Sequence, residues 1–166
     1  MVEAKDNQLW EEYLSLFQEA GQQLSQTQWF RESWEIHTGY MINGETPRGV
    51  AFRLAKPEWF DGAIHLESWL SNADLKRGTV PVALHVETSH GKTGLNKNQF
   101  VKLLLEQSAD LIRSWEGYAV KEKYAAEPLR RNVPFDKTNL VPQMVAEYNQ
   151  LQQLERIINR IIKELA

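Results

Sequence analysis

The chain has 166 residues, 42% of them hydrophobic and 25% charged, and a formal net charge of −3. That is one ordinary globular domain's worth of sequence, long enough to bury a core and too apolar for a disordered chain. It contains no cysteine, which excludes disulfides, thiol nucleophiles and thiolate metal sites together.

The segment from Met1 to Trp10 is polar and lacks the basic-then-apolar pattern of a secretion signal. Nor does any apolar run reach the ~20 residues that span a bilayer. The expectation is a soluble, cytoplasmic protein with no membrane partner. Charge is uneven along the chain. Residues 1–75 hold 12 acidic and 5 basic side chains, residues 76–137 hold 7 and 11, and residues 138–166 hold 3 of each. An excess of four positive charges falls short of the concentrated basic face expected of a nucleic-acid-binding domain.

Leu9, Trp10, Tyr13, Leu16, Phe17, Ala20 and Leu24 fall at helical spacing and predict a helix over 7–24, with Asp6 as N-cap and Gly21 as a weak point. The period then changes to two. Alternating apolar residues predict strands over 33–42, 48–55, 62–70 and 79–88, separated by Asn43-Gly44, Lys56-Pro57, Asp61-Gly62 and Arg77-Gly78. Such short connections suit antiparallel neighbours, since parallel ones need crossovers of about a dozen residues.

Asn96 and Gln99 form an N-terminal capping pair, with Leu95 and Phe100 at staple positions. A helix over 97–116 follows, stopping at Gly117. Tyr118 to Tyr124 alternates and offers a possible fifth strand, and Pro128 and Pro134 bracket a loop. A last helix over 140–165 carries Met144, Leu151, Leu154, Ile158, Ile161 and Leu165 in near-heptad order. The stripe packs on its own sheet or forms a homodimer or protein-partner interface. The fold class is therefore α+β, a single domain in which a four- to five-stranded antiparallel meander is packed on one face by an N-terminal, a central and a long C-terminal helix.

Strand phasing singles out the other face of that meander. With Ile64, Leu66 and Leu70 facing the core, His65, Glu67 and Trp69 point away; with the apolar set of the next strand inward, Ala83, His85 and Glu87 do the same. Consecutive strands tend to pair, so two His-x-Glu units share one side. Glu35, His37 and Arg53 belong to that side as well. Alternation by itself puts polar residues in water, and cross-strand ion pairs stabilise sheets by about 0.2–1 kcal/mol each. Imidazole and carboxylate are also metal ligands and proton carriers, so His65, Glu67, His85 and Glu87 are candidates for a divalent-metal or acid–base site. Trp69 implies partial cover of the face, and Arg53 and Lys92 are candidate anion-binding residues.

Three other patterns lead less far. Ser89-His90-Gly91-Lys92-Thr93-Gly94 lacks the first glycine of a phosphate loop, because that position is Val86. A nuclease pattern of Asp61 and Glu67 lacks its lysine, because that position is Trp69. Lys121, Lys123, Arg130, Arg131 and Lys137, interleaved with Tyr118 and Tyr124, form the densest basic stretch and the candidate nucleic-acid surface; lysines on a solvated edge strand are the plainer account.

The layout of a Trp-bearing N-terminal helix, a meander and an Asn-x-x-Gln-Phe helix ending in Trp115-Glu116-Gly117 resembles bacterial α+β domains that accompany restriction or defence nucleases. The resemblance covers residues 8–120 and implies a role beside nucleic-acid enzymes, with no residue carried over. The leading expectation is a non-catalytic binding or interaction module without a cofactor, acting through the polar sheet face or the C-terminal helix. Its rivals are a metal-dependent, phosphodiesterase-like hydrolase and a nucleic-acid-binding accessory protein.

Overall fold

The first helix, α1 (Val2–Ser25), buries Trp10, Tyr13, Phe17, Ala20 and Leu24, alternating steps of three and four that keep one stripe on the core. The structure is a computed structural model and describes residues 2–87, 94–121 and 126–166. The helix runs through Asp6, which is therefore no N-cap. Gly21 is a contact rather than a weak point, since a Cβ there would lie 3.1 Å from Ile36 Cγ2 and 3.3 Å from the Phe52 ring.

The sheet has six strands, β1 (Glu35–Asn43), β2 (Thr46–Ala55), β3 (Ile64–Ser71), β4 (Thr79–Val86), β5 (Ala119–Val120) and β6 (Leu129–Pro134), in the order β1-β2-β3-β4-β6-β5 with every pair antiparallel. The fold class is α+β, with one or two strands more than expected. The difference lies at Leu129–Pro134, which is a strand beside β4 and not a loop. Its prolines sit before its first residue and at its last, where a missing N–H costs little. Of the expected strand at 118–124, β5 is formed and residues 122–125 lie outside the described ones.

Between β3 and β4 a short helix, α2 (Asn72–Arg77), replaces a simple turn. Ser71 and Asp74 close a reciprocal capping box at its start, and Gly78 ends it at φ +65°. The central helix α3 (Lys97–Arg113) begins as expected, with Asn96 Oδ1 accepting the Gln99 N–H at 3.1 Å. The last helix is interrupted: α4 (Leu140–Leu151) passes through a 3₁₀ turn at Gln152–Leu154 into α5 (Glu155–Leu165).

α1 and α4 lie against the sheet, while α3 packs on α5. Val50, Phe52, Leu54, Leu66, Leu70, Val82 and Leu84 face them, fully buried. Leu151, Leu154, Ile158 and Ile161 are fully buried as well, so the near-heptad stripe is spent inside its own chain. Among the described residues no helix is long and apolar enough to cross a membrane.

Candidate metal centre on the open sheet face

Because side chains alternate across a strand, register converts the pairing into a grid. Glu35, Ala55, His65 and His85 form one row across β1 to β4; His37, Arg53, Glu67, Ala83 and Arg130 form the next; Gly39, Ala51 and Trp69 begin the third. All lie opposite the helices. His65 and His85 are directly cross-strand, and their rings stack with centroids 4.9 Å apart and planes 26° apart. Glu67, two residues along β3 from His65 and so one row over on the same face, reaches both. Its Oε1 lies 2.9 Å from His85 Nδ1 and its Oε2 3.4 Å from His65 Nε2. One ligand atom from each residue falls within 4.8 Å of the other two.

The β2–β3 connection supplies the orientation. Phe60, Asp61 and Gly62 have φ of 53°, 52° and 77° in succession, a left-handed run that sequence makes easy only at the glycine. The Gly62 carbonyl accepts from His65 Nδ1 at 2.8 Å and from Arg53 Nη2. A carbonyl only accepts, so Nδ1 carries the hydrogen of His65 and Nε2 is the nitrogen that faces Glu67. The ring is 2% exposed. His85 Nδ1 is also withdrawn from solvent, with Glu67 Oε1 2.9 Å away as its polar neighbour.

Charge makes the arrangement specific. Burial pushes the Glu67 carboxyl up, but the hydrogen bonds and charges of His65 and His85 outweigh it and hold it at about 2. The Glu67 carboxylate raises His85, against the opposing effect of burial and with help from Glu87 and Glu127. Protonating both rings would stack two imidazolium ions 4.9 Å apart around one carboxylate. With both rings neutral, the His65 Nε2 lone pair would face a carboxylate oxygen, whereas a hydrogen on His85 Nδ1 would still lie beside Glu67 Oε1. A divalent cation removes both difficulties, and two imidazoles with one carboxylate are the donor set of zinc and non-haem iron sites.

The other expected site residues separate. Glu87 shares the face but is half exposed, 3.7 Å from Arg53 Nη1, and outside the ligand cluster. His37 contacts Glu35 at 3.4 Å near the β1 edge, across Arg53 from the cluster. Trp69 is covered by the Arg130 guanidinium, 4.9 Å from its ring centroid. Arg130 also reaches Glu127 at 2.8 Å, while Arg131 points to the helix side and binds Glu147 at 2.6 Å. The two arginines thus face opposite sides of the sheet, each held by a carboxylate. Lys121 is exposed just after β5; Lys92 and Lys123 lie outside the described residues. Sequence reasoning missed the Gly62 carbonyl, for which Asp61-Gly62 was the available signal.

No family model, curated protein or solved structure matches the chain.

Proposed function

We propose that this protein is a metal-dependent binding module that works through the open sheet face, holding a divalent transition-metal ion on His65 Nε2, the Glu67 carboxylate and His85 Nδ1. The observation that carries the reading is the convergence of these three donors within 4.8 Å, with His65 already fixed in the tautomer that leaves Nε2 to the metal. Three protein ligands leave coordination positions for water or for a donor atom of a bound molecule.

A hydrolytic version is the second reading, favoured by Arg53. Its guanidinium adjoins the cluster through the shared Gly62 carbonyl and lines a depression of about 480 Å³ with His37, Lys56 and Asp61. A metal-bound water would supply the nucleophile and Arg53 would hold an anionic group.

The test is calorimetric titration of chelator-treated protein with Zn²⁺, with Co²⁺ absorption as a second readout. One ion per chain is expected, with binding weakened at least tenfold by His65→Ala or by His85→Ala. Equal Zn²⁺ binding by the native chain and the folded double variant would defeat the proposal.

A further inference from the structure

We propose that the outer face of α5, with the hollow beside it, is a groove for single-stranded nucleic acid. Arg156, Arg160 and Lys163 recur at i, i+4 and i+7, a spacing that keeps them on one side of a helix over about 10 Å. All three are exposed and line one depression of about 500 Å³. Arg156 also lines the neighbouring depression of about 450 Å³, whose wall includes Arg31 and Trp29. The two hollows meet at that arginine, and their linings together hold four cations and one indole.

Pairing elsewhere in the molecule sets this groove apart. The sequence has nine arginines. Arg53, Arg77, Arg113, Arg130 and Arg131 each meet a carboxylate. Arg31, Arg48, Arg156 and Arg160 have no such partner among the described residues, and three of these four line the groove. Of the carboxylates there, Glu155 is paired with Lys56 Nζ at 2.6 Å, and Glu164, which lines the hollow, accepts from the neutral Gln107 amide at 3.1 Å. Glu164 keeps its charge, so four cations against one carboxylate leave a local positive excess for an anion, although the whole chain is acidic.

The side chains narrow the kind of anion. Arginine's planar fork suits phosphate oxygens and also stacks on flat rings. Trp29 is held in place by its Nε1 donating to Asn149 Oδ1 at 2.7 Å and by edge-on contact with Trp34 at 5.8 Å. It is only partly buried and offers ring surface to the hollow. Cations in a line beside a fixed indole fit a backbone of phosphates carrying exposed bases. An acidic protein segment would match the charge and leave the indole unused. Neither the sheet face nor a metal enters this inference.

The test uses the full chain and a fluorescein-labelled oligothymidylate of about 15 nucleotides, read by anisotropy across a salt series. Three or four phosphate contacts predict a log–log salt slope of about −2 to −3, from about −0.7 per contact. The Arg156→Glu/Arg160→Glu/Lys163→Glu variant should bind at least tenfold more weakly with a flatter slope. Trp29→Ala should weaken binding by about five- to a hundredfold with the slope kept. Arg31→Glu, at an exposed position with no carboxylate partner among the described residues, repeats the charge test should the Trp29 variant fail to fold. Absence of binding at low salt, or unchanged binding by the triple variant, would overturn the proposal. Displacement by polyglutamate as effective as by unlabelled oligonucleotide would overturn it too, by assigning the groove to acidic protein.

Discussion

Glu67→Gln keeps the shape of the side chain at the centre of the cluster and removes its charge. In the metal-free protein the carboxyl is held at about 2 against an ordinary 4.5, a difference worth about 3 kcal/mol at 1.36 kcal/mol per unit. The side chain is 24% exposed, and screening by water trims this to about 2 kcal/mol. The sign follows from the direction of each shift. Glu67 is depressed, so its contribution is present above pH 4.5 and lost as pH falls through about 2. His85 is raised, so its contribution is complete below 6.5 and lost as pH rises through its elevated folded value. Both shifts express one interaction and do not add. The gap between native protein and variant should therefore peak between pH 4.5 and 6.5, near 4–8 °C in Tm for a chain of this size, and close toward both extremes. Circular-dichroism melts in EDTA across that range supply the measurement. A gap below about 1 °C at the peak, or one that keeps widening as the medium becomes alkaline, would refute the coupled-charge account.

Two further substitutions probe the frame that holds the site. Gly49→Ala would place a Cβ 2.2 Å from the Leu70 carbonyl oxygen across the β2–β3 pair, so urea unfolding should show a loss of about 1–3 kcal/mol. Glu155→Ala removes the nearer carboxylate from Lys56, whose side chain is 5% exposed and keeps Glu58 at 3.2 Å and the Trp34 ring at 5.0 Å. The same measurement should show a loss of about 2–3 kcal/mol, less than the 3–5 of a fully orphaned buried charge, and a much smaller one for Lys56→Met.

The adjacency of His65, Glu67 and His85 was legible because it depends on period two and on the pairing of consecutive strands, both local properties. Glu87 obeys the same alternation, yet it sits one row beyond the cluster and answers to Arg53. Parity sorts residues by face and leaves the register between strands undetermined. β6 was hidden for a different reason. Its prolines mark the ends of a strand as readily as those of a loop, and its partner β4 is more than forty residues away in sequence. The break between α4 and α5 carries no proline or glycine, so the helical period runs through it unmarked. The groove along α5 was likewise invisible, since Arg31 and Trp29 reach it only through tertiary packing.

The left-handed run at Phe60, Asp61 and Gly62 places the Gly62 carbonyl under His65, and two substitutions separate its conformation from its contacts. A non-glycine residue in this region costs about 1–2 kcal/mol, somewhat less for aspartate. Asp61 is exposed and takes no part in the ligand cluster. Asp61→Gly should relieve strain, recover less than about 1 kcal/mol against the added freedom of the unfolded chain, and leave Zn²⁺ affinity unchanged. Gly62→Ala meets the opposite circumstances. At φ +77° its Cβ is strained, and it would lie 2.7 Å from Arg53 Nη2, displacing the carbonyl that sets the His65 tautomer. Loss of such an outer-shell partner costs about 10–100-fold in metal affinity. Titrating Zn²⁺ into both folded variants decides the matter. Lost affinity in Asp61→Gly would make Asp61 a ligand after all, and native affinity in Gly62→Ala would remove the carbonyl from any orienting role.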